Sequence, residues 1–388
     1  MSSEAAKKAW ETRRANQDLV VGSPQEPKTK IIKTVTRTKT RELYDALNLC
    51  KKFTSPKEFV TPSFKCFQFH GRKVRAFDKD VGIEMTVPKG YDFPPCSVSA
   101  DFFLGTLKQY LDDEVTFKIE GNVMWLQKDG EVAANIALPY GRAEHDLTSF
   151  PEVPDDRLFK PFPEGFQEAV DLIWFATMRE PIAFNKLSAI FVDGKSMYAT
   201  NNIVLSRALI NCEFGDRLVI PDQIFTTLGK YRHAAQSYYA GKERFWVRGS
   251  NFKAFTDNIR RPLDVDLLRA AIDDFPKNAP VCRYEPTEVL NSLQRIQFYV
   301  NGESKRMTFE LNGKMIFSGQ NEKGNARSEA PCRYSGKPVP PIQFGYDYLV
   351  DCVKRAKAFS VTTFRERMRF YFKEANLEML LISFKERE

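Results

Sequence analysis

Adjacent carboxylates are the residues of this chain whose types and spacing come closest to a metal or acid–base site. Three aspartate pairs occur, Asp112–Asp113, Asp155–Asp156 and Asp273–Asp274. Neighbours on a strand or helix point in different directions, so no pair aims both carboxylates at one ion, and we expect solvated turns instead. The three histidines and seven single cysteines form no zinc pattern, and no GxxxxGK[ST], GxGxxG or GxSxG motif is present. We therefore predict no catalytic residues, no cofactor, no metal and no enzyme activity.

Lysine and arginine offer a second kind of chemistry, the binding of phosphate groups. The net charge is +8, but Met1–Arg41 contains ten basic and four acidic residues, which leaves only +2 for the rest. In the body of the chain, basic residues recur near the ends of predicted helices: Lys51, Lys52, Lys108, Arg179, Lys230, Arg232, Arg295, Lys354, Arg355 and Lys357. At any one helix, the favourable effect of a cation on the helix dipole is a sufficient explanation. Recurrence in equivalent places favours one shared surface that contacts phosphates without reading bases.

These helices belong to a pattern that the chain repeats three times. The pattern is a helix, a short connector and a strand hairpin, and its copies are Ser99–Gln127, Ile220–Phe255 and Phe344–Leu381. Their starts are spaced by roughly 120 residues, which is the size of a domain. Upstream of each copy lies another helix and a hairpin, with turns at His70-Gly71, Asp193-Gly194 and Asn312-Gly313. Each third is predicted to contain two helices and two hairpin-rich sheets.

The repeats define the domain boundaries. Residues 1–38 are polar and basic and are predicted to be a disordered tail, in which Lys7, Lys8, Arg13 and Arg14 either contact DNA or a partner or only aid solubility. The predicted domains are 39–154, 155–275 and 276–388. No run of about 18 apolar residues predicts a membrane span. The missing secretory signal and the unpaired cysteines predict a reducing, cytoplasmic location, in a host cell if the protein is phage-encoded.

Three domains of this kind resemble the beta subunit, or sliding clamp, of bacterial DNA polymerase III. The resemblance covers roughly Lys39 to the C-terminus, and its most specific stretches are Phe77–Val87, Ser188–Ile210, Ile220–Tyr231, Asp274–Asn278 and Leu377–Phe384. It implies an α+β DNA clamp fold in which two helices pack on two small antiparallel sheets per domain. It further implies a homodimeric ring around double-stranded DNA, opened by a clamp-loader ATPase and holding DNA polymerase through short peptide motifs.

The family's peptide pocket lies between the second and third domains. The resemblance places it here at Thr200, Asn202, Leu205, Leu268, Ile272, Leu380, Leu381, Ile382, Ser383 and Phe384. The sequence departs from the family's Thr-Asp-Gly-His-Arg-Leu segment, because Ile203 and Val204 stand where His and Arg are usual and Asn202 replaces Gly. We therefore expect an apolar groove that reads a different peptide, as a phage-encoded clamp with its own polymerase would.

Two other functions are weighed against the ring-forming clamp. A clamp-fold protein that does not close a ring would act as a monomeric adaptor or scaffold for a DNA-bound polymerase or for viral transcription. A DNA-processing enzyme such as a nuclease would need clustered carboxylates, which the sequence does not show. Oligomeric mass separates the first alternative from the clamp, and a metal-dependent cleavage assay tests the second.

Overall fold

The computed structural model describes residues 39–55, 62–138, 150–177, 187–211, 213–215, 217–259, 262–300, 305–365 and 367–384. These residues belong to one compact unit. None of the helices in these ranges combines the length and the apolar character that crossing a membrane requires. The predicted tail lies outside the described residues. The predicted domains are referred to below as the first, second and third repeats.

The described residues form seven α-helices. They are α1 Lys39–Lys51, α2 Ala100–Leu107, α3 Phe166–Ile173, α4 Gln223–Leu228, α5 Val265–Asp273, α6 Pro286–Val300 and α7 Tyr346–Val353. Short 3-10 helices are Pro62–Lys65, Lys108–Tyr110, Asp156–Leu158, Trp174–Ala176 and Gly229–Ala234. In α6, proline occupies the first turn, where its missing N–H costs nothing, and Val289, Leu293 and Ile296 form one buried face.

Each repeat contributes a series of short strands. The first repeat contains β1 Cys66–Gly71, β2 Lys73–Asp78, β3 Val81–Thr86, β4 Phe93–Ser99, β5 Val115–Glu120, β6 Val123–Lys128 and β7 Glu131–Ala137. The second contains β8 Lys160–Pro161, β9 Ala189–Asp193, β10 Ser196–Thr200, β11 Val204–Leu209, β12 Leu218–Pro221, β13 Ser237–Ala240, β14 Arg244–Arg248 and β15 Phe252–Asp257. The third contains β16 Val281–Tyr284, β17 Arg306–Leu311, β18 Lys314–Asn321, β19 Gly324–Tyr334, β20 Val339–Gly345, β21 Ala358–Phe364, β22 Arg367–Glu374 and β23 Leu377–Ile382.

The predicted hairpins are confirmed. His70 pairs with Lys73, and Ser196 pairs with Asp193, so each connection has two residues. The glycines Gly71, Gly194 and Gly313 have φ of +60°, +57° and +69°. These left-handed values are available to glycine without steric cost, which is why the turns carry it.

The small sheets of neighbouring repeats join into larger ones. The strand orders are β4-β1-β2-β3-β15-β14-β13-β8, β12-β9-β10-β11-β23-β22-β21-β16-β19-β18-β17-β20 and β5-β6-β7. The first two repeats meet where β3 pairs with β15, and the last two meet where β11 pairs with β23. At the first junction the backbone of Gly82 lies against Phe255, and a Cβ there would be 2.3 Å from the ring. The α+β fold with repeated helix pairs on antiparallel sheets is confirmed, and these two junctions make its sheets continuous.

Three apolar cores pack on the sheets: a large one and a smaller one on opposite sides of the joined sheets, and a third formed by Phe77, Phe150, Trp246 and Phe255. The larger core takes side chains from α1, α2, α3, α4, α6 and α7, so these six helices lie on what we call the helix side. A smaller core lies under α5, which packs on what we call the far side, against Phe191, Tyr198 and Leu380. The repeat pattern did not predict α5. Its N-terminus is capped by Asp264, whose carboxylate accepts a hydrogen bond from the backbone N–H of Asp266 at 2.9 Å.

Candidate functional site

Two of the predicted phosphate-binding lysines meet at the junction between the first and second repeats. The ammonium of Lys52, just after α1, lies 3.4 Å from the carbonyl oxygen of Leu228 and 5.7 Å from the ring centre of Tyr231. The ammonium of Lys230 lies 5.2 Å from the same ring. Gly229 leaves room for this approach, since a Cβ there would be 2.8 Å from Nζ of Lys52. Two cations from different repeats therefore share one tyrosine on the helix side.

Arg232 is held by partners within its own repeat. Its guanidinium donates to Asp171 at 2.9 and 2.7 Å and to the carbonyl oxygen of Gly229 at 3.3 Å. It also stacks 4.9 Å from the Trp174 ring, and its side chain is only 19% exposed. His233 approaches the same Asp171 at 3.4 Å. These contacts give Arg232 a structural role, so a phosphate would have to compete with Asp171 for it.

Arg355 and Lys51 are also engaged. Arg355 donates to the backbone carbonyl of Asp351 at 2.8 Å and lies 4.3 Å from the Phe175 ring. This stacking joins the third repeat to the second. Lys51 forms an ion pair with Asp101 at 2.6 Å, which links α1 to α2. Both residues stabilise helix ends instead of presenting an open cation.

The other predicted DNA-contacting residues are exposed. Within the described ranges, no carboxylate lies at ion-pair distance from Lys52, Lys108, Lys230, Arg295, Lys354 or Lys357. Their side chains are accessible, and each follows or lies on one of the six helices of the helix side. Arg179 falls outside the described residues. The arrangement can hold phosphates by charge, whereas base edges would require donors and acceptors fixed in a groove.

The predicted peptide pocket contains a tight turn between β10 and β11. The hydroxyl of Thr200 donates to the carbonyl oxygen of Val204 at 2.8 Å, and the amide oxygen of Asn201 accepts from the backbone N–H groups of Ile203 and Val204. Asn202 has φ of +71°, a conformation that asparagine tolerates better than other non-glycine residues. Asparagine thus substitutes here for the glycine usual in the resembled family.

The remaining pocket residues divide between the two sides of β23. Leu205 and Leu380 are buried on the far side against Leu268 and Ile272 of α5. Leu381 points to the helix side and lies in the larger core, so a peptide on the far side cannot touch it. Within the predicted set, Ile382 packs against the smaller core and is partly exposed, Phe384 is partly exposed, and Asn202 is exposed.

The end of β23 is fixed to its neighbours. Ser383 is buried, and its hydroxyl accepts a hydrogen bond from the backbone N–H of Met368 at 2.9 Å. Phe384 donates its backbone N–H to the carbonyl oxygen of Gln343 at 2.9 Å. The guanidinium of Arg306 lies 4.4 Å from the Phe384 ring. Ser383 therefore positions the strand, while Phe384 presents a ring flanked by a cation.

An ionic network centred on the buried Glu378 fastens α5 and the third repeat to the second. Arg207 on β11 donates to Glu378 on β23 at 2.6 Å and to Asp273 of α5 at 2.7 Å. The hydroxyl of Tyr371 donates to Glu378, and Lys373 approaches it at 3.2 Å. Burial alone would raise the pKa of Glu378, but the hydrogen bonds from Tyr371 and Arg207 hold that pKa below its usual value.

Sequence reasoning missed Arg369 on β22. It is 8% exposed and stacks 4.4 Å from the Phe364 ring and 5.5 Å from the Phe275 ring. Its Nε atom is buried without a hydrogen-bond partner. The alternating Arg367-Met368-Arg369-Phe370-Tyr371 run was the available signal, because alternation places both arginines and Tyr371 on the same face.

The fold was compared with known proteins. No protein-family model matches the sequence, and no curated protein matches it. Solved structures do match. The DnaN sliding clamp of Pseudomonas aeruginosa, bound to griselimycin, aligns with a TM-score of 0.71 at 14% identity, over 89% of this chain and 98% of that one. The DNA polymerase III beta subunit of Thermotoga maritima gives 0.71 at 15% identity over 90% and 98%. The beta chain of Streptococcus pneumoniae gives 0.72 at 15% over 89% and 98%.

These matches extend over nearly the whole length of each compared protein. The chain therefore has the fold of the DNA sliding clamps. Within that class, the compared structures are bacterial DNA polymerase III beta subunits, the family that the sequence resembles.

Proposed function

We propose that this protein is a sliding clamp: a non-enzymatic homodimer that closes around duplex DNA and tethers a DNA polymerase to it. The single observation that carries the proposal is that two strand edges, one on β7 and one on β19, have no partner strand within the described residues. At both junctions between repeats, the last strand in the first sheet of one repeat pairs with the last strand in the second sheet of the following repeat. These pairs are β3 with β15 and β11 with β23, and each runs antiparallel over five residue pairs.

The third equivalent pair is β19 with β7. Within the described residues, β7 pairs with β6 alone, and Gly324–Pro331 of β19 pairs with β18 alone. Open edges of this kind invite pairing with another chain. A second copy supplies both missing partners, because β19 of each copy can pair with β7 of the other. With two such contacts, all four open edges are paired and the two copies form a ring. Contacts that did not close in this way would instead build a filament.

An exposed phenylalanine supports the same interface. Lys52, Phe175 and Phe298 each lie nine residues after the first buried apolar residue of the first helix, so they are equivalent in the three repeats. Lys52 contacts the second repeat, and Phe175 is covered by Arg355 of the third. Phe298 is 56% exposed, as is Val132 on β7. We infer that both become buried when a second copy docks.

The exposed cations supply the DNA contact. In a homodimer, Lys52, Lys108, Lys230, Arg295, Lys354 and Lys357 each occur twice on the helix side. Contacts to phosphates alone carry no sequence information, so a ring held by them can move along any duplex. The groove near Ile382 and Phe384 is where we propose that partner peptides of polymerase and loader dock.

The interface is tested by the mass of the protein in solution. We expect a dimer at low micromolar concentration, and Phe298→Asp should weaken it by about 2 kcal/mol or more because a charge would have to be buried. Leu267→Asp is the matched control, since Leu267 is 65% exposed on α5 and away from both open edges. A wild-type monomer would favour the adaptor function, and equal dimerisation of both variants would remove Phe298 from the interface.

A further inference from the structure

One side chain on the helix side does not fit a surface that binds only phosphates. Phe102 of α2 is 58% exposed, more than any other phenylalanine that the structure describes. The buried face of α2 includes Phe103, Leu104 and Leu107, and at 3.6 residues per turn position 102 lies opposite this face. The ring therefore faces away from the core on the helix side. An apolar ring gains nothing from a phosphate, so the proposed phosphate contacts do not account for it.

The equivalent positions of the other two repeats carry no exposed ring. In all three helices this position comes directly before a pair of buried apolar residues spaced by four, which makes it Gln223 in α4 and Tyr348 in α7. Gln223 is exposed and polar, whereas Tyr348 is half-buried and packs so closely on Gly345 that a Cβ there would be 2.7 Å from its ring. The exposed ring of Phe102 is therefore a feature of the first repeat and not of the repeated pattern.

Phe102 lies beside the junction where the two open lysines meet. Its neighbour Asp101 forms the 2.6 Å ion pair with Lys51, which brings the start of α2 to the end of α1. The residue after Lys51 is Lys52, which shares the half-exposed Tyr231 ring with a lysine of the second repeat. The helix side at this junction therefore places two aromatic rings and two open cations on one stretch of surface.

The carboxylates next to this surface do not cancel its charge. Asp101 is bound in the ion pair just described, and Asp171 accepts hydrogen bonds from the Arg232 guanidinium at 2.9 and 2.7 Å. The exposed carboxylates of α1 and α3, Glu42 and Glu168, lie in the first turns of these helices, whereas the open lysine of the first repeat follows the last turn of α1. The two cations beside the rings are therefore available to a ligand.

Rings and cations combined in this way fit a single strand of DNA. The backbone of such a strand follows the cations, and its unpaired bases offer flat faces on which aromatic side chains stack. In a duplex the same faces are covered by the neighbouring base pairs, so a ring on the protein surface reaches only edges, sugars and phosphates. A protein that tethers a polymerase works next to unpaired bases, because the template ahead of the growing end is single-stranded.

We propose that the helix side at the first junction binds a short stretch of single-stranded DNA. Phe102 and Tyr231 stack on its bases, and Lys52 and Lys230 contact its phosphates. The inference deepens the proposed clamp function and rests on it, since it states which part of a primed template the helix side recognises. The protein then binds a duplex with a single-stranded extension more tightly than phosphate contacts alone provide.

The test compares two labelled ligands of equal charge by fluorescence anisotropy. One is a duplex with a thymidine overhang of about eight nucleotides, within the length that one single-strand site covers, and the other has an abasic overhang of the same length. We expect the full-length wild type to prefer the thymidine overhang. Phe102→Ala should weaken binding of that ligand about 5- to 100-fold, the usual effect of losing one stacked base, and leave the abasic ligand unchanged.

Three further variants make the result specific. Phe102→Leu keeps an apolar side chain but no flat ring, so it should lose the preference as the alanine variant does. Phe102→Trp should keep the preference, and its added fluorescence should be quenched by the thymidine overhang but not by the abasic one. Phe364→Ala removes a ring that is 47% exposed on β22's neighbour β21, away from α2, and should bind both ligands as the wild type does. Thermal unfolding of the Phe102 variants should match that of the wild type, because the ring is exposed.

Other results would overturn the proposal. Equal binding of the two overhangs by the wild type would show that no base is stacked. A leucine variant with the wild-type preference would reduce the ring to an apolar contact. Equal weakening of both ligands by Phe102→Ala would place the ring against the duplex, and variants that bind both ligands as the wild type does would leave it to a protein partner.

The outcome is separable from that of the ring. A topological link does not depend on stacking, so Phe102→Ala should be retained on circular DNA as the wild type is. If the wild type were not retained but preferred the thymidine overhang, the clamp function would fail while the single-strand site remained. Retention without that preference would leave the clamp in place and remove the site.

Discussion

Removing the two lysines that share Tyr231 should change how DNA binding depends on salt. The perturbation is Lys52→Ala with Lys230→Ala, and in a homodimer it removes four cations. Each phosphate contact releases condensed counterions and contributes about 0.9 to the slope of log K against log salt, so the slope should fall by up to about 3.6. Between 50 and 200 mM salt, that difference corresponds to roughly 150-fold in relative affinity.

The assay is fluorescence anisotropy of a labelled duplex titrated at four or more salt concentrations. Lys79→Ala with Lys242→Ala is the control, because both lysines are exposed in hairpin turns and not at the helix ends. The control should keep the wild-type slope. If the test pair also keeps it, the convergence of Lys52 and Lys230 is unrelated to phosphate binding, and the charge argument fails at the site where it is best supported.

Two further predictions concern the junctions between repeats. Gly82→Ala should destabilise the protein by about 1–3 kcal/mol, because the added Cβ would overlap Phe255. Gly105→Ala has nothing near its Cβ and should stabilise α2 by about 0.5–1 kcal/mol. Urea unfolding measures both free energies, and equal effects of the two substitutions would contradict the close packing at Gly82. Glu378 has a pKa below its usual 4.5. The stability that its ionised carboxylate contributes is therefore fully present above pH 4.5 and is lost as the pH falls through the pKa of the folded state. The stability gap between wild type and Glu378→Gln should therefore be constant near neutral pH and shrink below about pH 4.5, and a gap independent of pH would show that the carboxylate is not ionised in the network.

The sequence predicted the repeated fold because its signals are local. The glycine turns at Gly71, Gly194 and Gly313 follow from backbone conformations that other residues rarely adopt. The first and second helices of each repeat follow from apolar spacing. The joining of β3 to β15 and of β11 to β23 could not be read in the same way, since strands more than 150 residues apart leave no periodic mark. The helix α5 was missed because it lies outside the repeat.

The candidate site was predicted less completely. Charge at helix ends is visible in the sequence, but it does not distinguish Lys230, which is open, from Arg232, which Asp171 holds. That difference depends on a contact between α3 and the segment after α4. The partly exposed Ile382 and Phe384 were recognised by resemblance. Arg369 was not, because its unpaired state is defined by what surrounds it in three dimensions.

Retention on DNA of different topology tests the ring most directly. The protein would be loaded onto a nicked circular plasmid with a compatible loader, or by mild opening of the dimer, and separated from free protein by gel filtration at moderate salt. We predict that it stays with the circle and is lost within minutes when a restriction enzyme linearises it. Equal retention on circular and linear molecules would contradict a topological link and with it the proposed clamp.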